Sequence, residues 1–222
     1  MPPSTGPRPI QPPQLPSNLP ALELPDGRFT DDEEYAGGRL NSAMLAGQRA
    51  ANIQLEQIAV RATTLQQTCF RSPRLRDMRF EDCDLANADW ERIDALRIKW
   101  RDCRLIGFSA AESHWQDVQW RNCHLTLARF RFADFRSVWF DQCDLTEADF
   151  HGATLANVRF SRCNLTNVDC SHVKLAGIDL RTCAIDGIKA GPQELAGATV
   201  TFVQAAYLAG RFGLVVKEPG EE

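Results

Sequence analysis

Residues 76–105 read RDMRF EDCDL ANADW ERIDA LRIKW RDCRL when they are cut into fives. The last residue of every block is apolar: Phe80, Leu85, Trp90, Ala95, Trp100, Leu105. So is the middle one: Met78, Cys83, Ala88, Ile93, Ile98, Cys103. The frame continues without insertion to Ala190, making 23 blocks, and Ser113 is the one polar residue at a middle position. None of these 46 positions carries a charge, whereas the other 69 carry 34. Two residues in five therefore point inward and three face water. A continuous strand alternates with period two and a helix repeats every 3.6 residues, so neither fits. A chain that turns a corner in every block does.

Cysteines fix how many corners close a turn. Cys83, Cys103, Cys123, Cys143, Cys163 and Cys183 recur every twenty residues, so four blocks make one coil. A fixed period of this length marks a stacked repeat architecture. Two further columns agree. Met78, Ile98, Val118, Val138, Val158 and Ile178 form one, and Phe80, Trp100, Trp120, Phe140, Phe160 and Leu180 form another. Stacked coils pair as in-register parallel strands about 4.8 Å apart, and about eight of them give a rod roughly 40 Å long. The expected fold is an all-β solenoid, a quadrilateral parallel β-helix.

The frame weakens outside this region. Backwards it runs to about residue 36, through Leu75, Phe70, Leu65, Val60 and Leu55, with Thr63 and Thr68 polar at middle positions. Gln48 falls at a middle position, which predicts either a bulge or an amide bonded to free backbone groups at the coil's end. Pro73 lacks an N–H, so weaker ladder pairing is expected there. Phe108 is bulky for its site and predicts local distortion. Forwards the frame reaches about residue 200, with a fault at Pro192 and Gln193. Thr201 is placed as the N-cap of a helix over 202–212. Its apolar stripe is Phe202, Ala205, Ala206, Ala209 and Phe212, with Leu208 beside it. Gly213 stops the helix, and Leu214–Val216 reads as a short strand. Residues 1–30 hold nine of the twelve prolines and read as a disordered or polyproline-like tail, in which PPQLP (12–16) could dock on a proline-reading groove but is expected to be solvated.

The blocks CDLAN (83–87), CDLTE (143–147), ADFHG (148–152), ATLAN (153–157) and CNLTN (163–167) resemble the A(D/N)LXX consensus of the pentapeptide-repeat family. The resemblance spans about 36–200, and ATVTFVQAAYLAGRFGLVV (198–216) is similar to the common end of bacterial members. It implies a right-handed quadrilateral β-helix closed by a short C-terminal helix. It also implies a two-fold dimer made by the C-terminal helix and strand, for which Phe202, Leu208, Phe212 and Leu214 are the candidates. Relatives of the Qnr type mimic DNA and protect gyrase, which makes a type II topoisomerase one candidate partner.

The residues themselves favour a non-enzymatic scaffold that binds another protein. The cysteine column is expected to be small apolar filler. Sulfurs in a line suit neither tetrahedral zinc nor a disulfide, so no cofactor or metal is expected. A thiol-redox or metal protein is the least favoured alternative. Cys69 falls on an outward position. His114, His124, His151 and His172 are also outward and scattered over different faces or coils. No phosphate loop, nucleophile elbow or HExxH is present, so no catalytic residue is assigned. A DNA mimic needs an acidic stripe. The outward charges of the four faces over 76–190 come to −3, −1, 0 and +2, which argues against one. Among the outward apolar residues (Leu96, Ile106, Leu127, Phe132 and Trp139), Leu127, Phe132 and Trp139 form the candidate partner patch. Net charge is −4, which argues against direct binding to nucleic acid or anionic membrane. With no apolar leader or spanning segment in the sequence, a cytoplasmic setting is expected, where thiols stay reduced.

Overall fold

The structure, a computed structural model, describes residues 8–217. It is a four-sided parallel β-helix in which, from Glu34 onward, every ladder partner lies twenty residues away. One face pairs Glu34, Gln54, Arg74, Asp94, His114, Asp134 and Thr154 in register. Another runs Met44, Thr64, Asp84, Arg104, His124, Asp144, Asn164 and Ala184. The block frame sets the corners. The second residue after nearly every block end lies in the left-handed region, from Asp77 (φ 52°) through Arg97, Leu127 and Phe132 to His172 (φ 62°). That conformation swings the chain through a turn and is tolerated best by Gly, Asn and Asp.

The core is one column of buried side chains along the axis. Its aromatic rings stack from coil to coil. Phe80, Trp100, Trp120, Phe140 and Phe160 lie nearly parallel, with centroids 3.9, 4.7, 6.1 and 5.1 Å apart in turn. In-register stacking forces this, because a column of like residues places each ring over the one below.

Several local expectations change. Pro73 does not weaken its ladder. Middle residues supply the inter-coil bond through their carbonyl: Arg74 N–H donates to Ile53 O and Asp94 N–H to Pro73 O, so a missing N–H there costs nothing. Phe108 causes no distortion. It is buried against Trp90 and Phe130, with Ser109 N to Ala88 O and Arg129 N to Phe108 O at 2.9 and 2.8 Å. Gln48 makes no bulge. Its amide accepts from Phe29 N–H (3.0 Å) and donates to Gly27 O (2.9 Å), closing the first coil.

The N-terminal segment departs most from expectation. From residue 8 onward it is not a free tail. Asn157 donates to Arg8 O, the N–H groups of Gln11 and Gln14 donate to Asp117 and Asp77, and Leu22 pairs with Arg39. It lies lengthwise along one corner of the rod, and Phe29 enters the core. Residues 1–7 of the expected tail lie outside the described residues.

At the other end, Gly191 precedes a short helix α1 (Pro192–Leu195), which accounts for the fault in the frame. Helix α2 (Phe202–Arg211) follows, and Thr201 caps it by accepting from Gln204 N–H. Leu214–Val216 forms no strand. It finds no ladder partner and remains exposed.

Candidate interaction surfaces

The cysteine column holds free thiols, all buried from Cys83 to Cys183. They do more than fill space. Each of Cys83, Cys103, Cys123, Cys143 and Cys163 donates to the carbonyl two residues before it, at 3.2 to 3.5 Å. Thr63, one coil earlier in the same column, donates to Arg61 O at 2.9 Å. The column is therefore a ladder of small donors that serve corner carbonyls. Burial pushes the Cys123 thiol well above its ordinary value and Cys170 up to about 12, so both are neutral S–H groups. Cys69 is half-buried.

The histidines are less scattered than their sequence positions imply. His151 and His172 meet edge to face at 5.0 Å, and His151 meets Phe132 at 5.5 Å. Residues 151 and 172 flank the same corner one coil apart, a relation visible only once the coil is closed. Among the described residues, no three His, Cys, Asp or Glu side chains are grouped to hold a metal ion.

The three outward apolar residues do not form one patch. Leu127 (50% exposed) and Phe132 (58%) stand at the two corners that bound a single face. Trp139 lies two faces further round the coil, half-buried, with the Arg159 guanidinium 4.7 Å above its ring. Leu127 and Phe132 share a second peculiarity. Both sit in the left-handed region, at φ 60° and 57°. A bulky side chain there costs roughly 1–2 kcal/mol, and here burial returns little of it. The next corner along Phe132's column is Gly152, and a Cβ there would come within 2.7 Å of the Phe132 ring.

Helix α2 leaves Phe202 and Phe212 of the candidate dimer surface exposed, and Leu214 beyond it, but not Leu208. Leu208 is buried against the last coil, so it leaves the candidate dimer set. Beside it Gln204 donates to Leu180 O and Cys183 O, both at 2.9 Å, and Tyr207 accepts from Gly187 N–H at 2.6 Å. The end of a β-helix presents unpaired backbone groups, so the helix turns its polar side to them. Its apolar stripe is left outward, with Phe202 80% and Phe212 43% exposed, and Leu214 and Val215 continue it.

Charge is paired within the faces. Asp84 meets Arg104, Asp141 meets Arg121 and Arg162, Asp149 meets Arg131, and Glu112 meets Arg92. The most buried pair, Asp77 with Arg97, is bidentate at 2.6 Å. Burial opposes ionisation of Asp77, but Arg97 and the Gln14 N–H outweigh it and hold the carboxyl below its ordinary value. Sequence reasoning passed over this corner because it treated the N-terminal segment as solvated.

Residues 113–189 match the family model described as a pentapeptide repeat region. No curated protein matches the chain. Solved structures are similar at low identity, among them the following three. A trypsin-treated variant of QnrB1, a plasmid-mediated fluoroquinolone resistance protein, is 20% identical over 86% of this chain and 100% of its own, with a TM-score of 0.46. HetL, a pentapeptide repeat protein involved in heterocyst differentiation regulation from Nostoc sp. strain PCC 7120, is 18% identical over 76% and 89%, with a TM-score of 0.37. One from the Arabidopsis thaliana thylakoid lumen is 16% identical over 77% and 87%, with a TM-score of 0.23. The family match falls on coils whose five-residue frame, left-handed corners and twenty-residue ladders are continuous with those before it, so the pentapeptide repeat region matched over 113–189 lies within one uninterrupted solenoid.

Proposed function

We propose that this protein is a non-enzymatic scaffold that recognises another protein across the face bounded by Leu127 and Phe132. One observation carries the reading. Two large apolar side chains are held at strained left-handed corners and left in water, whereas the other left-handed corners carry Gly, a polar or charged residue, or the small Ala62. Neither packing nor backbone preference accounts for them, whereas an anchor for a partner does. A rigid ladder on either side loses little conformational entropy on binding. Trp139 lies outside this face and is not needed for it.

We also propose that the outward stripe of α2, with Leu214 and Val215, pairs with a second copy to give a homodimer. A bacterial cytosolic setting keeps the eight thiols reduced.

The test is capture of partners by the wild-type chain and by Leu127→Asn/Phe132→Asn. Asn relieves the corner strain, so the variant melts no lower than wild type. It is expected to lose the captured partner, while Gln119→Ala, two faces away, keeps it. Equal capture by the double variant sinks the proposal.

A further inference from the structure

The corner under the N-terminal segment is built differently from the other three. Its residues are Asp77, Arg97, Asp117, Ser137 and Asn157, one per coil. Asp77, Asp117 and Ser137 are buried, whereas the corner residues Asp82, Asp102, Asn122 and Gln142 of the next column are exposed. The covering chain is Arg8-Pro9-Ile10-Gln11-Pro12-Pro13-Gln14-Leu15-Pro16, with Ile10, Pro13 and Leu15 half-buried.

Three polar contacts tie the two together, and their spacing is regular. Asn157 Nδ2 donates to Arg8 O (3.0 Å), Gln11 N–H donates to Asp117 Oδ1 (3.3 Å) and Gln14 N–H donates to Asp77 Oδ1 (2.8 Å). Contacts fall every third residue on the segment and every fortieth on the solenoid. Three residues are one turn of polyproline II, about 9.3 Å at about 3.1 Å per residue. Forty residues are two coils, about 9.6 Å at about 4.8 Å each. The two lattices coincide to within about 0.3 Å per turn.

The intervening coils brace the reading groups. Arg97, between Asp77 and Asp117, grips the Asp77 carboxylate with two bonds. Ser137, between Asp117 and Asn157, accepts from Asn157 Nδ2 at 2.9 Å. The segment's own chemistry matches. Pro9, Pro12, Pro13 and Pro16 hold φ near the polyproline value and have no N–H. The residues that keep the N–H at the reading positions are Gln11 and Gln14. Recognition is thus of main-chain groups, not of side-chain identity.

We propose that this corner is a binding groove for peptide in the polyproline II conformation, reading one main-chain group every third residue, and that the chain's own residues 8–16 occupy it. A proline-rich peptide added in trans has to displace that segment, whose tether gives it an effective concentration of the order of millimolar.

Two measurements test this. In the full chain, hydrogen exchange at the Gln11 and Gln14 amides should be at least about tenfold slower than in the free peptide RPIQPPQLP, and Asp77→Ala/Asp117→Ala should return both to the peptide rate. Exchange at the free-peptide rate in the wild-type chain overturns the proposal without any variant. Second, full-length Ile10→Asp/Pro13→Asp, which unseats the segment, should bind labelled RPIQPPQLP, and the parent chain should bind it at least about tenfold more weakly. The same peptide carrying Gln11→Pro and Gln14→Pro keeps the polyproline II conformation but loses both N–H groups, and should not compete. Equal competition by that peptide, or no binding to the unseated chain, also overturns it.

Discussion

Thr68 stands where the five-residue frame calls for an apolar side chain, and the structure supplies the reason. Its hydroxyl accepts from the Trp90 indole N–H at 2.9 Å and donates to Leu65 O at 2.8 Å. The partner is twenty-two residues away, so no local pattern announces it. Thr63 and Ser113 follow the same logic. Each is buried at a middle position and donates to the carbonyl two residues before, as the cysteines do, and Ser113 also accepts from Ile93 N–H. The middle position thus takes small donors as readily as apolar groups, because a corner carbonyl lies within reach. Replacing Thr68 by the nearly isosteric Val leaves the Trp90 N–H and a share of Leu65 O unpaired. Urea unfolding should show a loss of about 1–3 kcal/mol. Trp100, Trp115 and Trp120 already have no partner for their indole nitrogens. Trp120→Phe should therefore lose packing alone, and a smaller penalty for Thr68→Val than for Trp120→Phe would show the bond to be weak.

At the scale of the element, the two ends of the rod are closed in the same way. Gln48 and Tyr35 serve the first coil, where Tyr35 Oη accepts from Thr30 N–H at 2.9 Å. Gln204 and Tyr207 serve the last. An amide both donates and accepts and a phenol reaches far, so each pair covers backbone groups that no further coil satisfies. This requirement sets the orientation of α2. Hydrophobic periodicity assigns the apolar stripe to the inside of a helix when the surface beneath is apolar. Here that surface is polar backbone, and the stripe points out. The exposed stripe is where dimerisation is expected. Light scattering at micromolar concentration should give twice the chain mass, and Phe202→Asp/Val215→Asp should halve it while the monomer stays folded, since both side chains are about four-fifths exposed within one chain. A monomeric wild-type chain rejects the dimer.

At the scale of the whole molecule, each coil touches only its neighbours, so away from the N-terminal segment that crosses several coils stability is close to a sum of coil and interface contributions. The same regularity repeats charge. Because partners stand one coil apart, an Asp in one coil meets an Arg in the next, as Asp84 meets Arg104. The faces are laced with opposite signs instead of gathering into the acidic stripe that a DNA mimic needs. Accordingly, excess protein should leave the quinolone inhibition of gyrase supercoiling unchanged. Clear protection in that assay would show that a few unpaired carboxylates suffice, and would overturn the reading of the charge pattern.

How much was legible follows from where the partners lie. The sequence alone determined the architecture, because inward and outward positions are set by a local, strictly periodic pattern and the cysteine spacing closes the coil. It also located Leu127 and Phe132 as outward, Thr201 as a helix cap and the thiols as inward. Tertiary structure alone decided what meets at a distance the period does not encode. The polar side of α2 turned inward to meet an open coil end. Trp139 was separated from Leu127 and Phe132 by the corners between them. His151 and His172 came together across adjacent coils. Residues 8–16, proline-rich and without an apolar pattern of their own, found a fixed place because their three-residue pitch matches two coils of the surface they lie on.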